Sequence, residues 1–309
     1  MSRFSLYWNA VKKAALDFND DNGFKLSASL SYSTLFAVGP LLILVISLTG
    51  IFFGQSAVEG RIYAQIKDLV GSSTAMQIQD IIKNIQQSKH TGLGAIIGGI
   101  VLLLAATGVF TEIQGSINYM WSIQTKPKKS WLKFLLDRLL SFSLIVGFGF
   151  ISLVSLVVNS LMDVMGGHLK SFFSEFSVYL FYAVNILLTL AAVVFLFTII
   201  FKILPDAIIS WRDAFAGAVF TGLFFMVGKF LIGVYLGNSN MGATYGAATS
   251  IVVILTWVYY SSIILYLGAE FTKTYAANRR RRIEPSDKAV LIVKQEVKVV
   301  DRRQQEPQP

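Results

Sequence analysis

The stretch LTWVYYSSIILYLGAEF, residues 255–271, is apolar enough for a bilayer yet carries a row of side chains that could do chemistry. On a helix that turns about 100° per residue, one arc collects six of the ten Ser, Thr, Tyr and Glu residues between positions 245 and 270. This polar seam either bonds neighbouring helices, the commoner use of hydroxyls in membrane helices, or lines a path between them. Its members are Tyr245, Thr249, Thr256, Tyr259, Tyr266 and Glu270.

Lys229 is a second candidate, because it is a cation inside an apolar segment. Ala214, Ala218 and Gly222 form a ladder of small residues on the same helix face, and such ladders are typical of helix interfaces. The spacing therefore predicts that Lys229 points at protein. Its ammonium either reaches the outer surface along its own stem or meets an anionic ligand, since no carboxylate is predicted at that depth.

Two carboxylates, Glu112 and Glu270, fall one or two helical turns from the predicted inner boundary. They are either interfacial acids paired with Arg or Lys, or members of a proton or cation relay. A run of four arginines follows the last apolar segment and predicts contact with anionic lipid headgroups, which explains it more simply than nucleic acid does. The run is Arg279, Arg280, Arg281 and Arg282.

The composition identifies the elements that must position these groups. The 309 residues are 54% hydrophobic and 15% charged, and the mean hydropathy is +0.60, well above that of a soluble domain. Several apolar runs reach the length needed to cross a bilayer as a helix. The predicted fold class is all-α, a polytopic integral membrane protein with six transmembrane helices. The predicted spans are Leu30–Phe53, Leu93–Gln114, Leu139–Ser160, Val178–Leu204, Ala214–Leu236 and Ala243–Phe271.

The positive charges predict the orientation. Most of the 27 Lys and Arg residues fall in the segments that are cytoplasmic if both termini are cytoplasmic. Residues 1–29 are then an amphipathic cytoplasmic lead-in, with Phe4, Trp8 and Phe18 on its apolar side. No secretory cleavage site follows it, so the first span is predicted to be retained.

Three further segments complete the predicted organisation. Residues 30–275 form the six-helix transmembrane domain, and residues 54–91 form a helical hairpin that caps its outer face. Residues 276–309 form a basic, flexible cytoplasmic tail, with a short strand over AVLIVKQEVKVV as the alternative.

Several classes of chemistry are disfavoured by the residue inventory. The chain has no Cys, which excludes disulfides, thiolate metal sites and cysteine nucleophiles. Its only His residues, His90 and His168, are both predicted outside, and the cytoplasmic acids are scattered among Lys and Arg. Hydrolysis of RNA would need clustered acids for metal ions or a His acid and base. The sequence therefore predicts no enzyme, no metal, no cofactor and no nucleic-acid partner.

Longer segments resemble a known family. LSYSTLFAVGPLLIL, FTEIQGSINYMW, SWLKFLLDRLLSF, ILPDAIISWRDAFAGAVFTGLFFMVGKFLIGVYL and YGAATSIVVILTWVYYSSIILYLGAEF are similar to the YihY/BrkB family of bacterial inner-membrane proteins, in consistent order from about residue 10 to 275. The resemblance implies a six-helix protein with both ends inside. The family has been labelled a transfer-RNA processing ribonuclease and a virulence factor for serum resistance, and transport has been proposed for relatives. It supplies no agreed site residues.

Two functions follow as expectations. The first is a transporter or permeability protein for a small anionic or lipid-related solute, with Lys229 as the anion contact and the polar seam as the wall of the path. The second is a non-transporting membrane scaffold in envelope or lipid organisation, and a homo-oligomer is compatible with both. The two differ in the packing between the last two spans, which a transporter leaves open to solvent and a scaffold packs dry.

Overall fold

The computed structural model describes residues 3–37, 108–126, 175–238 and 244–293. This part of the chain is helical apart from four very short strands at one end of the helix bundle. The helices are α1 (Arg3–Asp20), α2 (23–37), α3 (108–120), α4 (Glu175–Ile203), α5 (Trp211–Asn238) and α6 (Thr249–Asn278), with a 3-10 turn at Gly246–Ala248. The strands are β1 (Ile123–Thr125), β2 (Ala207–Ile208), β3 (Glu284–Pro285) and β4 (Ala289–Leu291).

Two of the described helices are long and apolar enough to cross a membrane. They cover Trp211–Tyr235 in α5 and Ile251–Asn278 in α6, each with a mean hydropathy of 1.9, and α4 contains a shorter apolar stretch over Thr189–Ile203. These segments overlap the last three predicted spans. The predicted third span and the outer hairpin at 54–91 lie outside the described residues, as do parts of the first two spans.

Helix α5 packs between α4 and α6. Its small-residue ladder lies at these contacts, because Ala214 and Ala218 are fully buried and a Cβ on Gly222 would lie 2.8 Å from Val194 of α4. The prediction that the ladder is a helix interface is confirmed. Small side chains allow the helix backbones to approach closely and so increase the van der Waals contact between them. In a membrane this contact matters because the hydrophobic effect does not drive helices together in lipid.

Two reciprocal Gly–Thr pairs join α5 to α6. A Cβ added to Gly217 would lie 2.9 Å from the Thr272 Cβ, and one added to Gly268 would lie 2.9 Å from the Thr221 Cβ. Each threonine donates its hydroxyl to its own helix, Thr221 to the Gly217 carbonyl at 2.8 Å and Thr272 to the Gly268 carbonyl at 2.7 Å. The contact is therefore dry at this level, and its polar groups are satisfied within each helix.

Helix α1 packs against the last turns of α6. Ala10 and Ala14 are fully buried there beside Phe271 and Tyr275. The sequence placed Trp8 on the apolar side of the lead-in, but Trp8 is 63% exposed. The face that packs on protein is set by the small residues, which let α1 come close to α6, and not by the largest apolar side chains.

The strands fasten the segment after α6 to the helices. β1 pairs antiparallel with β4, Ile123 opposite Leu291, and β2 pairs antiparallel with β3. The short strand that the sequence allowed in AVLIVKQEVKVV is present at its first residues, and residues 276–293 pack on the bundle where the sequence predicted a flexible tail. We call this end of the bundle, where α4 and α6 end and α5 begins, the charged end.

Candidate functional site

The most deeply buried charge of the described residues is that of Glu270, near the charged end of α6. Glu270 and Lys273 are three residues apart, a spacing that puts both side chains on one helix face. The Lys273 Nζ lies 2.6 Å from Glu270 Oε2, and the exposed fractions of the two side chains are 25% and 0%. Neither oxygen of Glu270 meets the geometry of a hydrogen bond, so the attraction is that of an ion pair.

The Lys273 ammonium joins three helices. It donates to the Met120 carbonyl at the end of α3 at 2.8 Å and to Asp21 Oδ2 just after α1 at 3.3 Å. Asp17 Oδ2 of α1 lies 3.9 Å away, and the Asp21 carboxyl is close enough to Glu270 to interact with it directly. One ammonium therefore faces three carboxylates. We call Asp17, Asp21, Glu270 and Lys273 the charged cluster.

A polar row continues from the charged cluster along α6 and α3. Tyr266, one turn before Glu270, is fully buried, and its hydroxyl has no hydrogen-bond partner among the described residues. Ser116 of α3 lies beside that hydroxyl, and Glu112, one turn before Ser116, interacts with it electrostatically. Glu112 and Ser116 are four residues apart on α3, and Tyr266 and Glu270 are four residues apart on α6. Each pair therefore lies on one helix face, and the two faces form matching polar rows. Glu112 and Glu270, the two carboxylates considered for a relay, are both members of this row.

Two side chains hold α3 in the position that the row requires. Trp121, just after α3, donates its indole N–H to the Ala269 carbonyl of α6 at 3.0 Å. Asp206, between α4 and β2, accepts from the Asn118 and Gln114 side chains of α3 at 3.1 and 3.2 Å. It also accepts from the Thr125 hydroxyl at 2.8 Å. Asp206 thus clamps α3, β1 and the α4–α5 connection together.

The remaining residues of the predicted polar seam do not join this site. Thr249 donates its hydroxyl to the Gly246 carbonyl and Thr256 donates to the Val252 carbonyl, each at 2.7 Å within the local chain. Tyr245 is 49% exposed at the other end of α6, and Tyr259 is half-buried. The structure brings Tyr266 and Glu270 together with Glu112 and leaves the other four apart from them.

Lys229 is also separate from the charged cluster. It is half-buried and makes no ion pair with any residue that the structure describes. It lies twelve residues beyond Gly217, which corresponds to about 18 Å along α5. The neighbouring Gly228 packs directly against the Tyr260 ring of α6. Lys229 and Glu270 are therefore two sites on adjacent helices.

The four arginines have different environments. Arg279 lies over the Tyr275 ring, 4.8 Å from its centroid, and Arg281 Nη1 lies 3.4 Å from Asp213 Oδ2. Arg280 and Arg282 are exposed and make no ion pair within the described part of the chain. Part of the positive run is thus used to hold the tail on the bundle, and two cations remain for other partners.

Sequence reasoning missed three members of the charged cluster. Lys273 was counted only as part of the inner positive charge, and Asp17 and Asp21 only as polar residues of the lead-in. The Glu–x–x–Lys spacing of Glu270 and Lys273 was a signal of their pairing. The approach of α1 had no such signal. Among the described residues no group of three or more His, Asp or Glu is arranged to hold a metal ion.

The family model described as Virulence factor BrkB matches residues 14–290. A UPF0761 membrane protein of Azotobacter vinelandii is 30% identical over 288 residues, which cover 89% of this chain and 65% of the relative. One from Rhodospirillum centenum is 27% identical over 88% of this chain and 59% of the relative. This chain therefore spans less than two thirds of the length of these relatives. No solved structure matches.

Proposed function

The chain belongs to the BrkB virulence factor family of membrane proteins, and from that premise we propose that it is a transporter or permeability protein for a small anionic or lipid-related solute. We place it in the bacterial inner membrane as a multi-pass protein, with the charged end and both termini in the cytoplasm. The gathering of Lys and Arg at that end supports this orientation.

The observation that carries the proposal is the charged cluster. A carboxylate at 0% exposure inside a membrane helix is costly, and such groups are retained mainly where a protein moves ions or protons or changes conformation. The cluster joins α1 to α6, and its Lys273 also bonds the end of α3, so helices from separate parts of the chain meet at one ammonium. In the proposed cycle Glu270 is the carboxyl that couples ion or proton movement to the separation of these helices.

The solute route in this proposal runs along α5 and α6, with Lys229 as the anion contact. Its half-buried ammonium has no carboxylate partner among the described residues, so an anionic solute would supply the missing charge. The Gly217–Thr272 and Thr221–Gly268 contacts close the route at the charged end. A transport cycle therefore requires these contacts to open, as in alternating access.

The same Gly–Thr contacts favour a second candidate function. If α5 and α6 stay dry throughout, no solute passes between them, and the protein is a non-transporting scaffold in envelope or lipid organisation. In that reading the charged cluster locks α1 to the bundle, and the exposed arginines Arg280 and Arg282 contact anionic headgroups at the membrane surface.

The test is charge movement on a solid-supported membrane that carries purified protein in liposomes. Organic phosphates, carboxylates and inorganic ions are applied in turn, and counterflow of labelled solute detects electroneutral exchange. We expect a solute-dependent signal in the wild type that falls about tenfold or more in Lys229→Gln and in Glu270→Gln. Lys12→Gln removes an exposed surface cation outside the charged cluster and should leave the signal unchanged. Silence of the wild type in both assays would reject transport in favour of the scaffold.

A further inference from the structure

A cavity at the charged end lies between the start of α5 and the segment after α6. It has a volume of about 310 Å³, which is at the small end of the range for ligand sites. Its polar lining comes from Ser210, Asp213, Arg281, Arg282 and Glu284, and Ala276 and three isoleucines supply the rest. The cavity belongs neither to the charged cluster nor to the neighbourhood of Lys229.

One wall of the cavity holds a carboxylate that is incompletely satisfied. Asp213 is 1% exposed, and its Oδ1 has no hydrogen-bond partner in the described part of the chain. Its Oδ2 is 3.4 Å from Arg281 Nη1, a long contact for an arginine and a carboxylate. A buried oxygen of this kind is costly to leave without a donor. A ligand that brings an ammonium or hydroxyl group would provide one.

The arginines that line the cavity favour an anionic ligand group. Arg281 divides its guanidinium between Asp213 and the Ser210 hydroxyl, which lies 3.3 Å away. Arg282 lines the same cavity and pairs with no acid that the structure describes. The 28-residue helix α5 also begins here, so its positive dipole end adds to the attraction for an anion. A phosphate group fits this side of the cavity.

The lining charges balance, because two arginines stand against Asp213 and Glu284. A balanced site suits a zwitterion better than a ligand with net charge. We infer that the cavity binds the phosphoethanolamine headgroup of a phospholipid, with the phosphate at Arg281 and Arg282 and the ammonium at Asp213. The exposed Trp211 at the start of α5 is typical of a residue at headgroup depth, which puts the cavity within reach of lipid. This binding does not depend on transport.

The test is native mass spectrometry of the full chain after removal of bound lipid. The protein is incubated with equal amounts of phosphatidylethanolamine and phosphatidylglycerol, and the lipid retained after detergent removal is measured. We expect retention of phosphatidylethanolamine to exceed that of phosphatidylglycerol by about fivefold, and Arg282→Gln to lower the retention of both lipids, because both carry the phosphate that Arg282 binds. Lys288→Gln is the matched control, because Lys288 is an exposed cation of the same segment that does not line the cavity, and it should retain both lipids as the wild type does.

A second variant tests the ammonium side. Asp213→Asn should abolish the preference for phosphatidylethanolamine over phosphatidylglycerol, a ratio that a purely structural role would not change. Equal retention of the two lipids by the wild type would overturn the inference, as would equal effects of Arg282→Gln and Lys288→Gln. Binding of soluble O-phosphoethanolamine without retention of either lipid would assign the cavity to a soluble phosphate ester and would also overturn the lipid proposal.

Discussion

Replacing Lys273 with Met should destabilise the protein more than loss of any surface charge. The ammonium is 2.6 Å from Glu270 Oε2, 2.8 Å from the Met120 carbonyl and 3.3 Å from Asp21 Oδ2. Without it, Glu270 remains at 0% exposure with no neighbouring cation among the described residues. Removal of one partner of a buried pair costs about 3–5 kcal/mol, and because Lys273 is a quarter exposed we expect about 3 kcal/mol.

A double-mutant cycle separates the charge from the packing. Glu270→Gln introduced together with Lys273→Met removes the orphaned charge, so we expect it to restore about 2 kcal/mol of the loss. Lys13→Met is the surface control. Lys13 pairs with Asp17 at 2.9 Å but is 61% exposed, so its loss should cost no more than about 0.5 kcal/mol.

The assay is equilibrium unfolding in dodecyl maltoside micelles as the fraction of sodium dodecyl sulfate rises, followed by far-ultraviolet circular dichroism. Unfolding free energies of the wild type, the two single variants and the double variant give the interaction energy directly. A Lys273→Met protein within about 1 kcal/mol of the wild type would refute the reasoning. So would a double variant as unstable as the sum of its two single variants.

Two further substitutions test the packing and the clamp. Gly217→Ala should cost about 1–3 kcal/mol, because the new methyl group would collide with Thr272. Gly115→Ala in α3 meets no described residue within 4 Å and should be neutral or stabilising in the same unfolding assay. Equal effects of the two would contradict the close α5–α6 contact. Asp206→Ala should speed amide exchange in β1 and β4, because three side-chain donors lose their acceptor, and unchanged exchange there would show that Asp206 is not the clamp.

The membrane class and the last spans could be predicted because hydropathy and length are local properties of the chain. An uninterrupted apolar run of this length has few alternatives to a membrane helix, so the predicted Ala214–Leu236 lies inside α5. The small-residue ladder was equally readable, since a spacing of four fixes a helix face without knowledge of the partner.

The face of α1 that packs on α6 could not be predicted in the same way. Hydropathy does not distinguish a side chain that faces lipid from one that faces protein, because both surroundings are apolar. The sequence placed Trp8 on the apolar side of the lead-in but did not show that the small residue Ala10 contacts α6. The strands were equally difficult to predict, because a strand of two or three residues is too short to show a periodic pattern. They form only where the chain after α6 meets the segments that follow α3 and α4.

The candidate site was predicted in part for a related reason. Glu112, Tyr266 and Glu270 were identified because carboxylates and hydroxyls inside apolar segments stand out from their neighbours. Their partner Lys273 contacts Asp21, which is 252 residues away in the chain, and no local pattern predicts such a meeting. The separation of Lys229 from Glu270 likewise followed only from their distance along the packed helices.

The central claim is that the contact between α5 and α6 at the charged end opens during transport. The chain has no native Cys, so Phe220→Cys and Phe271→Cys together would introduce a single thiol pair across the α5–α6 contact, at positions whose rings stack with their centroids 4.1 Å apart. Solute counterflow is measured before oxidation, after oxidation and after reduction. The account predicts that the disulfide stops counterflow and that reduction restores it. Full counterflow with the disulfide formed would contradict the account.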